Sequence, residues 1–221
     1  MKIYAHRGAS RDFPEMSREA YLEAVIQGAD GFECDLRLTK DRQLICWHDS
    51  NTLRMTGIKK RIATTHYRDL AFAEPILLTE LISIAEENRK ALAIETKHPV
   101  PSAGLVEREL IKLLDELKPS IDISIMSFSK LAIKRIPKRF KSVYLINHKV
   151  GNRFNSAPVI GPSLALIKAH PEIVADAHSK GKEVYIWTVN DAADVKYCAE
   201  IGVDVIMSDI PAQARRALGY S

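Results

Sequence analysis

Several features that would place a chain in a class at once are scarce or absent here. There are three cysteines, Cys34, Cys46 and Cys198, in 221 residues, with no CxxC spacing. An odd, scattered set argues against a disulfide framework or a cysteine-bound zinc, and reads as small buried apolar side chains. No apolar run approaches the ~20 residues that cross a bilayer. Met1-Lys2 leads into a short apolar triplet and then charges, without the apolar core of a secretory signal. A soluble, cytoplasmic protein without stable membrane insertion is expected. Charge of one sign is also nearly lacking: 32 basic residues face 28 acidic ones, a formal excess of +4 spread along the chain. That suits a small anionic substrate and does not argue for nucleic acid, which would call for a clustered basic stripe.

What is present is ordinary in amount and regular in order. The chain is long enough to bury a core without staples, and its 46% hydrophobic and 27% charged residues are typical of a globular protein. Short β-type runs alternate with amphipathic runs. Strands are expected at 2–5, 31–38, 43–49, 91–97, 122–128, 142–147, 183–189 and 204–209, with a weaker strand or turn at 163–169. Helices are expected at 17–28, 78–90, 102–118, 129–136, 171–181 and 191–202, with a closing helix from Ile210. No Pro/Gly/Ser-rich linker divides them. Close to eight βα units over residues 1–221 predict a single (β/α)8 TIM-barrel domain. A doubly wound open sheet would open on a glycine-rich fingerprint, and "AHRGAS" has one glycine. Residues 50–77 lack a clean period and are expected to form an insertion beside the barrel mouth.

Polar residues at the C-terminal ends of barrel strands share one site. The first strand ends in His6 and Arg7, the second carries Glu33 and Asp35, "QLICWHD" ends in His48 and Asp49, and "AIETK" ends in Glu95 and Lys97. Glu33 and Asp35 lie two apart, so they point to one face of a strand. Glu95 and Lys97 share a face by the same rule. Three carboxylates converging on the barrel axis would repel one another unless a cation neutralised them. An all-oxygen set selects a hard divalent ion: calcium, magnesium or manganese. With Arg7 and Lys97 added, the site keeps one net positive charge, which complements a phosphodiester anion. His6 and His48 remain to accept and donate a proton.

Taken together, "AHRGAS…PE", "GADGFECDLRLTKD", "WHD", "IETK", "VYIWTVND" and "GVDVIMSDIP" resemble the glycerophosphodiester phosphodiesterase family, in order, from the first strand to the last. The resemblance implies a (β/α)8 barrel with a small insertion after the second strand region. It also implies metal-dependent hydrolysis of glycerophosphodiesters to glycerol 3-phosphate and an alcohol. By the resemblance, His6 and His48 are the paired catalytic histidines, and Glu33, Asp35 and Glu95 the metal ligands. Arg7 and Lys97 fall at phosphate-binding positions, and Trp187 at an aromatic lining the pocket. A route through a cyclic phosphate, formed by the neighbouring glycerol hydroxyl and then opened by water, is implied as well. Phospholipase D-like action on lysophospholipids and a non-catalytic phosphodiester-binding barrel are the alternative expectations.

One position departs from the family pattern. The usual "PEN" is "PEM" here, with Met16 in place of asparagine. Plainer readings stand for several other residues. Asp49 reads as a turn residue, and Lys59-Lys60-Arg61 as a solvated run. His66, His98, His148, His170 and His178 read as structural or exposed.

Overall fold

The computed structural model describes residues 1–148 and 156–220. Nine strands are found among them: β1 (Lys2–His6), β2 (Gly31–Leu38), β3 (Leu44–Cys46), β4 (Ala91–Thr96), β5 (Ile123–Ser127), β6 (Lys141–Ile146), β7 (Val159–Pro162), β8 (Glu183–Ile186) and β9 (Val205–Ser208). Parallel pairing runs β1-β2-β4-β5-β6-β7-β8-β9 and returns from β9 to β1, which closes the sheet into a barrel. The helices are α1 (Arg18–Ile26), α2 (Leu53–Thr56), α3 (Leu78–Glu87), α4 (Leu105–Leu117), α5 (Lys130–Arg135), α6 (Leu164–Ala169), α7 (Glu172–His178), α8 (Ala192–Glu200) and α9 (Pro211–Ala217). None of the described helices is long and apolar enough to cross a membrane.

Two expected elements change identity. The run at 43–49 is strand only at β3, and it pairs antiparallel with β2 outside the barrel. The reason is the connection. Residues 39–43 are too few for a parallel crossover, which takes a dozen or more. Thr39 closes the turn by donating from its hydroxyl to Asp41 Oδ1 (2.7 Å) and accepting from Gln43 N (2.9 Å). The barrel strand that replaces it is β7, the short segment Val-Ile-Gly-Pro before the run at 163–169. That run is helix α6, N-capped by Ser163, whose Oγ accepts from Leu166 N (3.3 Å).

The barrel has two apolar environments. Tyr4, Ala93, Met126, Val143, Leu145, Val159, Tyr185, Val205 and Met207 fill its interior. Their strand neighbours face outward: Phe32, Cys34, Leu36, Leu92 and Ile94 in one cluster with α1, α3 and α4, and Ile3, Val184, Ile186 and Ile206 in another with α6 to α9. Gly31 permits the interior packing at the base, since a Cβ there would lie 2.8 Å from the Tyr4 ring. Each strand thus has a known inward phase. Two steps beyond the interior residue brings β1 to His6, β4 to Glu95, β8 to Trp187 and β9 to Asp209, and on β2 the inward positions are Glu33 and Asp35.

The excursion after β2 carries α2 and two 3₁₀ turns, Ile62–Thr64 and Tyr67–Ala73. It has its own small core, in which Ile45, Trp47, Ile62 and Leu70 are buried and Tyr67, Ala73 and Leu77 pack against them.

Met16 sits at φ 57° and is 4% exposed in the cluster under α1. Asparagine tolerates that left-handed backbone better than methionine, by about 1 kcal/mol. Loss of the buried apolar side chain costs more, about 2–5 kcal/mol. Met16→Asn is therefore expected to lower stability by about 1–4 kcal/mol in urea denaturation. An unchanged or raised midpoint would contradict this.

Candidate active site at the barrel mouth

Inward phase and strand register together build an acidic centre. His6 pairs in register with Glu33 across β1–β2, and Asp35 with Glu95 across β2–β4. Oxygens of Glu33, Asp35 and Glu95 come within 4.8 Å of one another, and all three side chains are buried. The two cations close onto the middle one: Arg7 Nε lies 2.9 Å from Asp35 Oδ2, and Lys97 Nζ lies 2.8 Å from Asp35 Oδ1 and 2.8 Å from Glu95 Oε1. Yet neither Asp35 oxygen has a partner at hydrogen-bonding geometry, and neither does Arg7 Nε. A buried carboxylate between two cations and two further carboxyls, its contacts off ideal hydrogen-bond geometry, fits a cation-coordinating set.

Arg7 reaches this centre because the strand ends before it. Arg7 and Gly8 both take left-handed backbone, φ 60° and 81°, which breaks the alternation and turns Arg7 to the mouth beside His6. Gly8 is required there on two counts, since a Cβ would also lie 2.7 Å from Ala20 backbone carbon.

The three carboxyls ionise unequally. Burial pushes Glu33 well above the carboxylate range, and the charge of Asp35 adds to the rise. Burial and Asp35 likewise push Glu95 up to about 7. Burial acts on Asp35 too, but Lys97, Arg7 and His48 outweigh it and hold Asp35 below its ordinary value. Burial and mutual repulsion thus disfavour the ionised forms of Glu33 and Glu95, and a dication bound among the three carboxyls would favour them.

Both histidines are oriented by a carboxylate. His6 Nδ1 lies 2.6 Å from Asp209 Oδ1, which leaves Nε2 facing Glu33 Oε2 at 3.9 Å. Burial would raise Asp209, but hydrogen bonds from His6, Asn190 and Ser10 hold it at about 2. Asn190 Nδ2 donates to its second oxygen at 2.6 Å. His48 Nδ1 lies 2.9 Å from Asp49 Oδ1, and burial lowers the His48 imidazole. Arg37, also on the inward face of β2, donates to the His48 carbonyl from Nε and Nη2 (3.0 and 2.6 Å). Asp49, read from sequence as a turn residue, is thus a histidine partner. Asp209 was legible in principle, because it ends a strand in the same polar manner as the other site residues. Arg37 and Asn190 carried no such signal.

Trp187 stands on the far side of the mouth. Its Nε1 donates to Gly161 O (2.8 Å), and its ring meets Phe128 edge-on with centroids 5.3 Å apart. The structure thus brings His6, Arg7, Glu33, Asp35, Glu95 and Lys97 into one centre, with His48 and Trp187 at its rim. A cavity of about 750 Å³ lies at the opposite end of the barrel, among Lys2, Tyr4, Ser124, Glu183 and Asp204, and holds none of these residues.

Comparison with known proteins gives the family. The model of the glycerophosphoryl diester phosphodiesterase family matches residues 6–213. A probable glycerophosphodiester phosphodiesterase 1 from Mycobacterium tuberculosis is 32% identical over 96% of this chain and 90% of its own. A lysophospholipase D from Rattus norvegicus is 23% identical over 97% of this chain and 85% of its own. For the fold alone, an Oleispira antarctica phosphodiesterase solved with the product sn-glycerol-3-phosphate superposes with a TM-score of 0.89 at 20% identity, covering 99% of this chain and 97% of that one. The chain belongs to the glycerophosphoryl diester phosphodiesterase family and is a phosphoric diester hydrolase.

Proposed function

We propose that this enzyme hydrolyses glycerophosphodiesters to glycerol 3-phosphate and an alcohol, with His6 and His48 moving the protons. The observation that carries the reading is the junction of a buried three-carboxylate cluster with two cations and two carboxylate-oriented imidazoles. Glu33, Asp35 and Glu95 would hold one hard divalent cation, magnesium, calcium or manganese. When bound, such an ion supplies Lewis-acid polarisation of a phosphoryl oxygen and offsets the charge of the ester. Arg7 and Lys97 grip the remaining phosphoryl oxygens, the guanidinium by its planar fork and the ammonium as a point charge. Trp187 and Phe128 offer the apolar wall on the other side.

The chain's own groups then suffice for two proton-balanced steps. The glycerol hydroxyl next to the phosphate attacks phosphorus, and one neutral imidazole takes its proton at Nε2. The protonated imidazole opposite gives its proton to the departing alcohol oxygen. In the second step water opens the cyclic phosphate with the two imidazoles in exchanged roles. Asp209 and Asp49 accept from the Nδ1 positions, so each ring keeps Nε2 for the substrate.

A second reading, action on lysophospholipids, is favoured by a cleft of about 550 Å³ whose apolar side is Met16, Trp47, Met55, Ile58, Phe72 and Ile76 and whose rim carries Glu15, Arg18, Glu19 and Glu74. An acyl chain would fit such a wall. The test is product release from glycerophosphocholine, glycerophosphoethanolamine and lysophosphatidylcholine, with each divalent ion and with a chelator. Turnover of the water-soluble esters, lost on chelation and restored by the ion, is expected. Turnover of the lysolipid alone would move the function to the second reading. Tight binding without turnover under any ion would leave a phosphodiester-binding barrel.

A further inference from the structure

A single guanidinium from the insertion joins two parts of the site that lie on different loops. Arg54, on α2, places Nε 2.6 Å from Asp49 Oδ2, and Asp49 Oδ1 holds His48 Nδ1 at 2.9 Å. The other edge of the same group meets Glu15, with Nη2 on Oε1 and Nη1 3.2 Å from Oε2. Glu15 Oε2 in turn takes Arg7 Nη1 at 3.1 Å. Each carboxylate is thereby gripped from two sides, by a site residue and by Arg54. Asp49 is 25% exposed and would be free to rotate into solvent if the outer grip were removed.

We propose that Arg54 is a positioning residue that sets His48 through Asp49 and Arg7 through Glu15, so that the insertion holds the proton-transfer and phosphate-binding groups in register. The inference rests on the function proposed above. It follows from fork geometry: a guanidinium serves two carboxylates on two edges, and an ammonium cannot do so in the same plane. Groups that orient a reacting side chain commonly matter by about 10–100-fold.

The test is steady-state kinetics on glycerophosphocholine at saturating divalent ion for wild type, Arg54→Met, Arg54→Lys, Asp49→Asn, Glu15→Gln and the Arg54→Met/Asp49→Asn pair. Asp49→Asn is expected to lower kcat and Glu15→Gln to raise KM, each by about 10-fold or more, and Arg54→Met to do both. Adding Arg54→Met to Asp49→Asn should lower kcat little further, because the two act along one route. Arg54→Lys should recover one parameter and not both. Wild-type kcat and KM in Arg54→Met overturns the inference, even with a lowered melting temperature, since Arg54 would then serve the scaffold only. Multiplying kcat losses in the pair overturn it too. If Arg54→Met does not fold, the lysine, Asp49 and Glu15 variants decide: wild-type kinetics in all three sinks it. An inactive wild type sinks the function and the inference together; an active wild type with an unaffected Arg54→Met sinks the inference alone.

Discussion

Asp35→Asn and Glu33→Gln are expected to abolish turnover alike and to affect the cation-free protein in opposite ways. Both remove a proposed ligand from the cluster, so calorimetry should show divalent-ion binding lost. Activity should fall on the order of a thousand-fold or more, since the ion's share of transition-state stabilisation is several kcal/mol. Their effects on folding diverge because the surroundings push the two carboxyls in opposite directions, Glu33 up and Asp35 down. Asp35 is the ionised partner of both Arg7 and Lys97. Its neutralisation removes the carboxylate that Arg7 and Lys97 share and leaves them Glu15 and Glu95; breaking a buried pair costs about 3–5 kcal/mol. Burial and the charge of Asp35 push Glu33 well above the carboxylate range. A glutamine there brings no charge into the buried site, and its carbonyl can still accept from Arg7 N, as Glu33 Oε2 does at 3.1 Å. Thermal melts in chelator should therefore show Asp35→Asn well below wild type and Glu33→Gln level with it or above. A Glu33→Gln protein destabilised as strongly as Asp35→Asn would refute this division of charge. Retained ion binding in either variant would remove that residue from the ligand set.

His48→Ala should lower kcat by about 100 to 10,000-fold, the range of general acid–base catalysis, while leaving divalent-ion affinity nearly unchanged. The split follows from position. His48 stands at the rim, its Nδ1 engaged by Asp49, and it is no member of the carboxylate cluster. His6→Ala should lose kcat over the same range, for its Nδ1 is held by Asp209 and its Nε2 looks onto Glu33. Single-turnover assays and ion titrations on the same preparations would check both halves. Full kcat in His48→Ala would take it out of the reaction, and a collapse of ion affinity would make its role structural.

The legibility of this site has a local origin. Inward or outward phase along a strand depends on nothing beyond period two, so Glu33 with Asp35, and Glu95 with Lys97, could be paired before any fold was known. Clustered acids beside two cations then point to a dication by charge alone. Asp209 ends β9 inward like the rest, yet what makes it a site residue is a contact that no local pattern carries. Its partner His6 is 203 residues away. The exchange of β3 for β7 has another cause. A run of strand-forming residues does not say which way it will pair, and the short linker after β2 forces Leu44–Cys46 back antiparallel. Val159–Pro162 is four residues long and includes a glycine and a proline, so its periodicity was too weak to register.

Residue order alone established the alternating βα plan, the residues that could face inward and the charge they would bring, because each follows from backbone geometry over a few neighbours. Closure of the sheet established which strands are members, which carboxylate aligns each imidazole, and how Arg54 comes to lie between Glu15 and Asp49. Those are contacts between segments far apart in the chain. Their hydrogen-bond partners are selected by where the barrel brings the loops together, and no local pattern encodes that.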